Sequence, residues 1–180
     1  MDPTDRLQEL EARAPITQQE ALDFFDALPP VDARAILGRW RGSGFATGHR
    51  LDGMLATFGW YGKEFVDADT VHPLLFSTRG GDVFKVDPRK VPMAPALKFR
   101  VPKGDAMRTA FLVARPLLET NEPRARLRMM EHRGKVSASM IYDDLPVIDI
   151  FRAIDEATLL GVMDLRGMPD PLFFLLRRDS

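Results

Sequence analysis

The run Leu172-Phe173-Phe174-Leu175-Leu176 is apolar at every position, and Leu159, Leu160, Val162 and Met163 come close to the same just before it. In a strand, successive side chains point to opposite faces. Phe173 and Leu175 therefore share one face, and Leu172, Phe174 and Leu176 the other. A sheet with one face in water alternates apolar with polar residues. This segment instead predicts a sheet covered on both sides, by a core or lumen within and by helices or another subunit without. A chain of 180 residues suits such an arrangement in a single unit. It has no cysteine, so no disulfide or thiolate metal site is expected, and a reducing compartment is the simplest setting.

The rest of the chain reads as a helical start followed by strands. Residues 1–34 form an N-terminal helical arm, with Leu7, Leu10 and Ala14 on one face of a first helix. Thr17 and Glu20 have the spacing of a capping box at the start of a second. Pro29-Pro30 ends it. Residues 35–178 are expected to form one barrel-like domain: a first half at 35–86, a proline-rich connection at 87–104, and a C-terminal half at 105–178. Period-two patterning starts at Ile36. Asp52–Phe65 reads as a helix carrying Met54, Leu55, Phe58, Tyr61 and Phe65 on one side, though Gly59 and Gly62 weaken it. Hairpins are expected around Arg79-Gly80-Gly81-Asp82 and around Arg133-Gly134. Met107–Ala114 reads as a strand, and Pro146 as the opening of a short helix with Val147, Ile148, Phe151 and Ile154 buried.

Gly38-Arg39-Trp40-Arg41-Gly42 is the most unusual segment. Its two glycines flank Trp40 on the same strand face, leaving room for a flat indole and for close approach of another backbone. The expectation is a buried Trp40 plugging one end of a closed sheet, its ring N–H paired. Arg39 and Arg41 then face outward.

This Gly-x-Trp-x-Gly segment, with Gly44-Phe45 and His49-Arg50-Leu51-Asp52 after it, resembles bacterial proteins named for the GXWXG motif. Met140 to Arg152, Gly161 to Asp164 and Phe173 to Arg177 are similar to the domain of unknown function that accompanies that motif. The resemblance covers roughly residues 22–80 and 120–178 and implies no particular activity. A wider resemblance is to the calycins: lipocalins, fatty-acid-binding proteins and nitrobindin-like haem barrels. It implies a β-dominated α+β fold, an antiparallel calycin-like β-barrel with N-terminal and peripheral helices. It also implies a basic residue of the last strand, Arg177 or Arg178, packed across Trp40 by cation–π contact, and a lid where the helix at 52–65 is expected.

No motif of catalysis stands out. His49, His72 and His132 lie far apart with no helical metal-ligand spacing. Asp143, Asp144 and Asp149 cluster beside the expected helix start, where capping accounts for them. There is no nucleophile elbow, dinucleotide fingerprint or Walker lysine. A net charge of −1, from 25 basic and 26 acidic residues interspersed, argues against a nucleic-acid partner. The start, Met1-Asp2-Pro3-Thr4-Asp5, is acidic where a secretory leader is basic. No run approaches the ~18 apolar residues of a membrane span. A cytoplasmic protein without integral membrane association is expected.

The expected function is therefore non-enzymatic binding of a small hydrophobic ligand, such as a fatty acid or lipid, in a barrel cavity without a cofactor. Phe58 and Phe65 are its lid-side candidates, and Val136, Met140 and Tyr142 its wall. With Trp40 inward, the ligand's polar end is expected near the rim. The alternatives are an enzyme or haem-binding protein using the same pocket, and an interaction module that forms a homodimer through an apolar outer face.

Overall fold

The computed structural model describes residues 2–91 and 104–179, so most of the proline-rich connection lies outside the described residues. Helix α1 (Pro3–Arg13) is capped by Asp2, whose carboxylate accepts the Thr4 N–H. Helix α2 (Gln18–Ala27) opens with the full capping box of Thr17 and Glu20. A 3-10 turn (Ala33–Ile36) leads into the strands: β1 (Gly38–Gly44), β2 (Trp60–Phe65), β3 (Val71–Ser77), β4 (Val83–Lys85), β5 (Ala125–His132), β6 (Lys135–Tyr142), β7 (Val147–Ala153), β8 (Thr158–Leu165) and β9 (Leu172–Arg178). Helix α3 (Met54–Thr57) lies between β1 and β2, and α4 (Asp105–Leu118) between β4 and β5.

All pairings between named strands are antiparallel. The order β2-β1-β9-β8-β7-β6-β5-β3 closes through a β2–β3 pairing, giving a ring of eight strands with β4 appended to β3. The ring is barrel-like but uneven. β3 and β5 share only the Val71↔Ala125 register, and β2–β3 carries two register shifts.

Three elements differ from the sequence reading. The helix expected over 52–65 is only Met54–Thr57, after which the chain turns into β2. Gly59 (φ 78°) and Gly62 (φ 147°) are the cause. At Gly62 a Cβ would stand 1.9 Å from the Trp40 carbonyl oxygen, so only glycine lets the two backbones approach this closely. The strand expected at Met107–Ala114 is α4. Met107, Ala110, Phe111, Ala114 and Leu118 recur at helical spacing, and that periodicity outweighs the local β-formers Thr109 and Val113. The helix expected after Pro146 is β7. Its apolar run is continuous because both faces are covered, not because one helical stripe is buried.

Covering on both sides produces two cores. Inside the ring, Trp40, Phe65, Leu127, Met140, Phe151, Phe174 and Leu176 belong to one cluster. Outside it, Ile150, Leu160, Val162, Phe173 and Leu175 pack with Leu7, Leu10, Phe24 and Phe25 of α1 and α2. The outward apolar face of β7, β8 and β9 is thus occupied by the protein's own N-terminal helices. Arg152 is buried in that outer layer, its guanidinium 4.8 Å from the Phe25 ring centroid and donating to the His132 carbonyl at 2.8 Å.

One end of the ring is plugged by Trp40, which is 1% exposed. Its ring N–H donates to the Ile36 carbonyl at 2.7 Å. Arg178, the register partner of Trp40 on β9, lays its guanidinium 4.3 Å over the indole. It also donates to the Leu37 carbonyl at 2.9 Å and the Ala35 carbonyl at 2.6 Å, so three consecutive carbonyls of the turn are held by two side chains. Arg177 faces the other way, toward Ser43 and Glu11. Arg39 and Arg41 point outward to Glu64 and Asp179. The glycines serve other neighbours than the indole of Trp40. Gly38 (φ 112°) sits beside Arg178, and a Cβ at Gly42 would stand 2.3 Å from the ring of Trp60.

This geometry predicts a graded series. Trp40→Ala should lower unfolding free energy by ~3–5 kcal/mol in urea titration. Arg178→Ala should cost about 1 kcal/mol, and Arg177→Ala, an exposed pair, less than about 0.5 kcal/mol. Equal effects of the two arginine variants would contradict the packing described.

Candidate functional site: a cavity above a buried ion pair

The opposite end of the ring is hollow. A cavity of about 450 Å³ is walled by Trp60 and Lys63 of β2, Leu74 and Phe76 of β3, Tyr142 of β6, Val147 and Asp149 of β7, Met163 of β8, and Leu172 and Phe174 of β9. Leu51, Met54, Leu55 and Phe58 cover one side of it. The inward face of α4 covers another, through Met107, Ala110, Phe111, Ala114 and Leu118. Phe111 anchors that helix, with ring centroids 5.3 Å from Phe58, 4.8 Å from Phe76 and 6.1 Å from Phe84. Pro88, Lys90, Val91 and Leu145 also contribute to the lining. A second hollow of about 410 Å³, with mixed polar walls, lies outside the ring among Gln18, Thr47–Arg50 and Leu165–Asp170.

The inner end of the cavity carries its chemistry. Lys63 Nζ lies 2.8 Å from Asp149 Oδ2, with the side chains 3% and 2% exposed. β2 and β7 are four steps apart either way round the ring of eight, so this pair crosses the lumen along a diameter. Two residues further along the same strands, Phe65 and Phe151 meet edge to face at 5.6 Å. The layer above is open and the layer below is packed. Lys63 also donates to the Pro73 carbonyl at 3.2 Å. Its ammonium stands 5.1–5.7 Å from the ring centroids of Phe174, Trp60 and Tyr142. Burial pushes the Asp149 carboxyl above the ordinary carboxylate range, against the opposing pull of Lys63. Burial, and then the nearby Asp149 charge, hold the Tyr142 hydroxyl well above its usual value, so it stays a neutral donor.

Among the residues expected to touch a ligand, Phe58 and Tyr142 line the cavity. Phe65 and Met140 do not: both are fully buried, Phe65 against Phe151 beneath the ion pair and Met140 beside Asp149 on the neighbouring strand. Val136 lies outside altogether, 53% exposed, because β6 there has run past its register with β7, which ends at Ser139↔Ile150. The expected aspartate cluster is dispersed. Asp143 pairs with Arg126, Asp144 lies near Arg89 and Arg124, and Asp149 points into the lumen. None of His49, His72 and His132 is among the residues lining this cavity, though His49 borders the second hollow. Among the described residues, no group of three or more His, Cys, Asp or Glu forms a metal site.

Lys63, Trp60 and the role of Asp149 escape the sequence reading. Lys63 and Trp60 lie where a helix is expected, and strand pairing alone reveals which side of β2 they occupy. Asp149 had a signal: an acid inside Val147-Ile148-Asp149-Ile150-Phe151 is a charge among residues that must be buried.

A ring of eight antiparallel strands with a plugged end and a hollow, helix-covered end defines a barrel-like, mostly-β protein. The chain belongs to the GXWXG protein family. That family matches residues 23–81, and the domain of unknown function DUF4334 matches residues 123–178. A crystal structure of a protein from Thermomonospora curvata is similar over 100% of both chains, with 33% sequence identity and a TM-score of 0.73. No curated protein matches the chain. Among the described residues, no helix is long and apolar enough to cross a membrane.

The buried pair predicts strong non-additivity. Lys63→Met alone should destabilise by ~3–5 kcal/mol because it strands a buried carboxylate. The double variant Lys63→Met/Asp149→Leu should recover most of that loss, as measured by urea unfolding in a double-mutant cycle. Additive losses would contradict the coupling.

Proposed function

We propose that this protein binds a small apolar molecule in the hollow end of the barrel, beneath α4. The observation that carries this reading is the cavity itself. Its volume of about 450 Å³ and its almost wholly hydrocarbon lining suit a small-molecule site, for which roughly 300–1,000 Å³ is usual. Such walls supply affinity at about 25 cal/mol per Å² of apolar surface removed from water. Helix α4 supports the same reading. Its apolar face is turned to the cavity, yet none of its side chains is fully buried. A ligand completes the packing that the helix lacks. Binding fits the site better than turnover does, since the one carboxylate in the described lining is already engaged by Lys63. A cysteine-free chain of near-zero net charge suits work in the cytoplasm on a free molecule rather than on nucleic acid.

Native mass spectrometry of freshly purified protein, with solvent extraction of anything bound, tests the reading directly. An apolar adduct is expected. Titration calorimetry with palmitate, decanol and haem should find at least one binder. Ala114→Trp, which adds bulk from the lid without touching the strands, should weaken that binder by about tenfold or more while leaving thermal stability nearly unchanged. Ligand should also slow amide hydrogen exchange across residues 105–118. Absence of any adduct together with no titratable binding would remove this function.

A further inference from the structure

We propose that the inner end of the cavity recognises an uncharged hydroxyl head on an otherwise apolar molecule, through Asp149, Trp60, Tyr142 and the ammonium of Lys63. This rests on the ligand-binding reading above and specifies what the ligand carries. Buried polar groups in native proteins nearly always have hydrogen-bond partners, and exceptions call for an explanation. Here two exceptions flank the Lys63 ammonium: Asp149 Oδ1 and Trp60 Nε1 are both buried without a hydrogen-bond partner among the described residues. Tyr142 lines the same end, where burial keeps its hydroxyl protonated and able to donate. Lys63 has three N–H donors and uses two, on Asp149 and on the Pro73 carbonyl. The unmet capacity is therefore one acceptor together with several donors. A hydroxyl matches that set, because it donates once and accepts twice. Its O–H would donate to Asp149 Oδ1, and its oxygen would accept from Trp60, Tyr142 or Lys63.

Charge decides against a carboxylate. Lys63 and Asp149 neutralise each other at 2.8 Å, so the inner end has no net charge to offer an anion. A ligand carboxylate would bring a second negative group beside Asp149 in a site of low dielectric, which is strongly unfavourable. An alkane would leave the orphaned groups as they are. The polar end of the ligand thus points inward to this layer, not outward to the rim.

Decanol, decane and decanoate, titrated calorimetrically at pH 8, differ only in the head. Decanol should bind about tenfold more tightly than either of the others. In Asp149→Asn the Lys63 charge is unopposed, and decanoate should then overtake decanol. Should that variant fail to fold, Lys63→Met/Asp149→Leu retains the apolar wall. In it, decane binding should persist while the preference for decanol disappears. Equal binding of decanol and decane to the native protein would overturn the assignment, as would tighter binding of decanoate. Binding of none of the three would instead remove the ligand-binding reading beneath it.

Discussion

The Lys63–Asp149 pair is the hinge on which the interior turns. It spans the ring between strands on opposite sides, and it is buried on both ends. Desolvating two charges is expensive, and a hydrocarbon pair of similar volume is often as stable or more so. Stability alone is therefore a weak reason for its presence. What the pair does is divide the lumen. Below it, Phe65 and Phe151 meet edge to face and Trp40 closes the end, filling the space with hydrocarbon. Above it, a cavity is left open whose polar inner boundary is this layer. A bridge fixed at both walls also sets the distance between β2 and β7, and so the width of the hollow end.

The plugged end solves a different problem with the same economy of groups. Turn residues 33–37 bring carbonyls to the mouth of the ring, where they must be satisfied or solvated. Trp40 and Arg178 satisfy three of them and stack on each other. The plug thus joins the turn after the arm to the first and last strands. The arm itself covers the outward apolar face of β7, β8 and β9. Closure, plug and arm are mutually dependent, since each hides apolar or polar surface that another element leaves bare.

Much of this was legible in the sequence, and the boundary of legibility has a physical basis. The two-faced run at 172–176 announced both cores, because its alternation places Phe173 and Phe174 in different ones. Thr17 with Glu20, and both hairpin turns, are local chemistry and read directly. Where local signals conflict with tertiary ones, reading by pattern fails. Trp60 to Phe65 is a strand because Gly62 lets it run against β1, a contact invisible without the partner strand. α4 carries both β-forming residues and a helical apolar period, and the period decides. The site was half legible: Tyr142 lies on the inward face that alternation predicts, but the ion pair joins residues 86 positions apart in sequence. No spacing rule links Lys63 to Asp149, since they meet only because the ring closes.

Closure also explains why the cavity is as wide as it is. Trp60 and Phe174, two of its largest wall residues, meet edge to face at 5.8 Å. Each lies flat against a glycine of a neighbouring strand. A Cβ at Gly42 would stand 2.3 Å from Trp60, and one at Gly161 would stand 2.3 Å from Phe174. Neither glycine has the positive φ that would demand it for backbone reasons. Their role is spatial: they let two aromatic rings recess into the wall where any other residue would push them into the lumen. The second glycine of the Gly-x-Trp-x-Gly motif thus serves the open end of the barrel, while the tryptophan serves the closed one. One short strand therefore positions both the plug and the cavity wall, and the motif couples the stability of the ring to the size of the space it encloses.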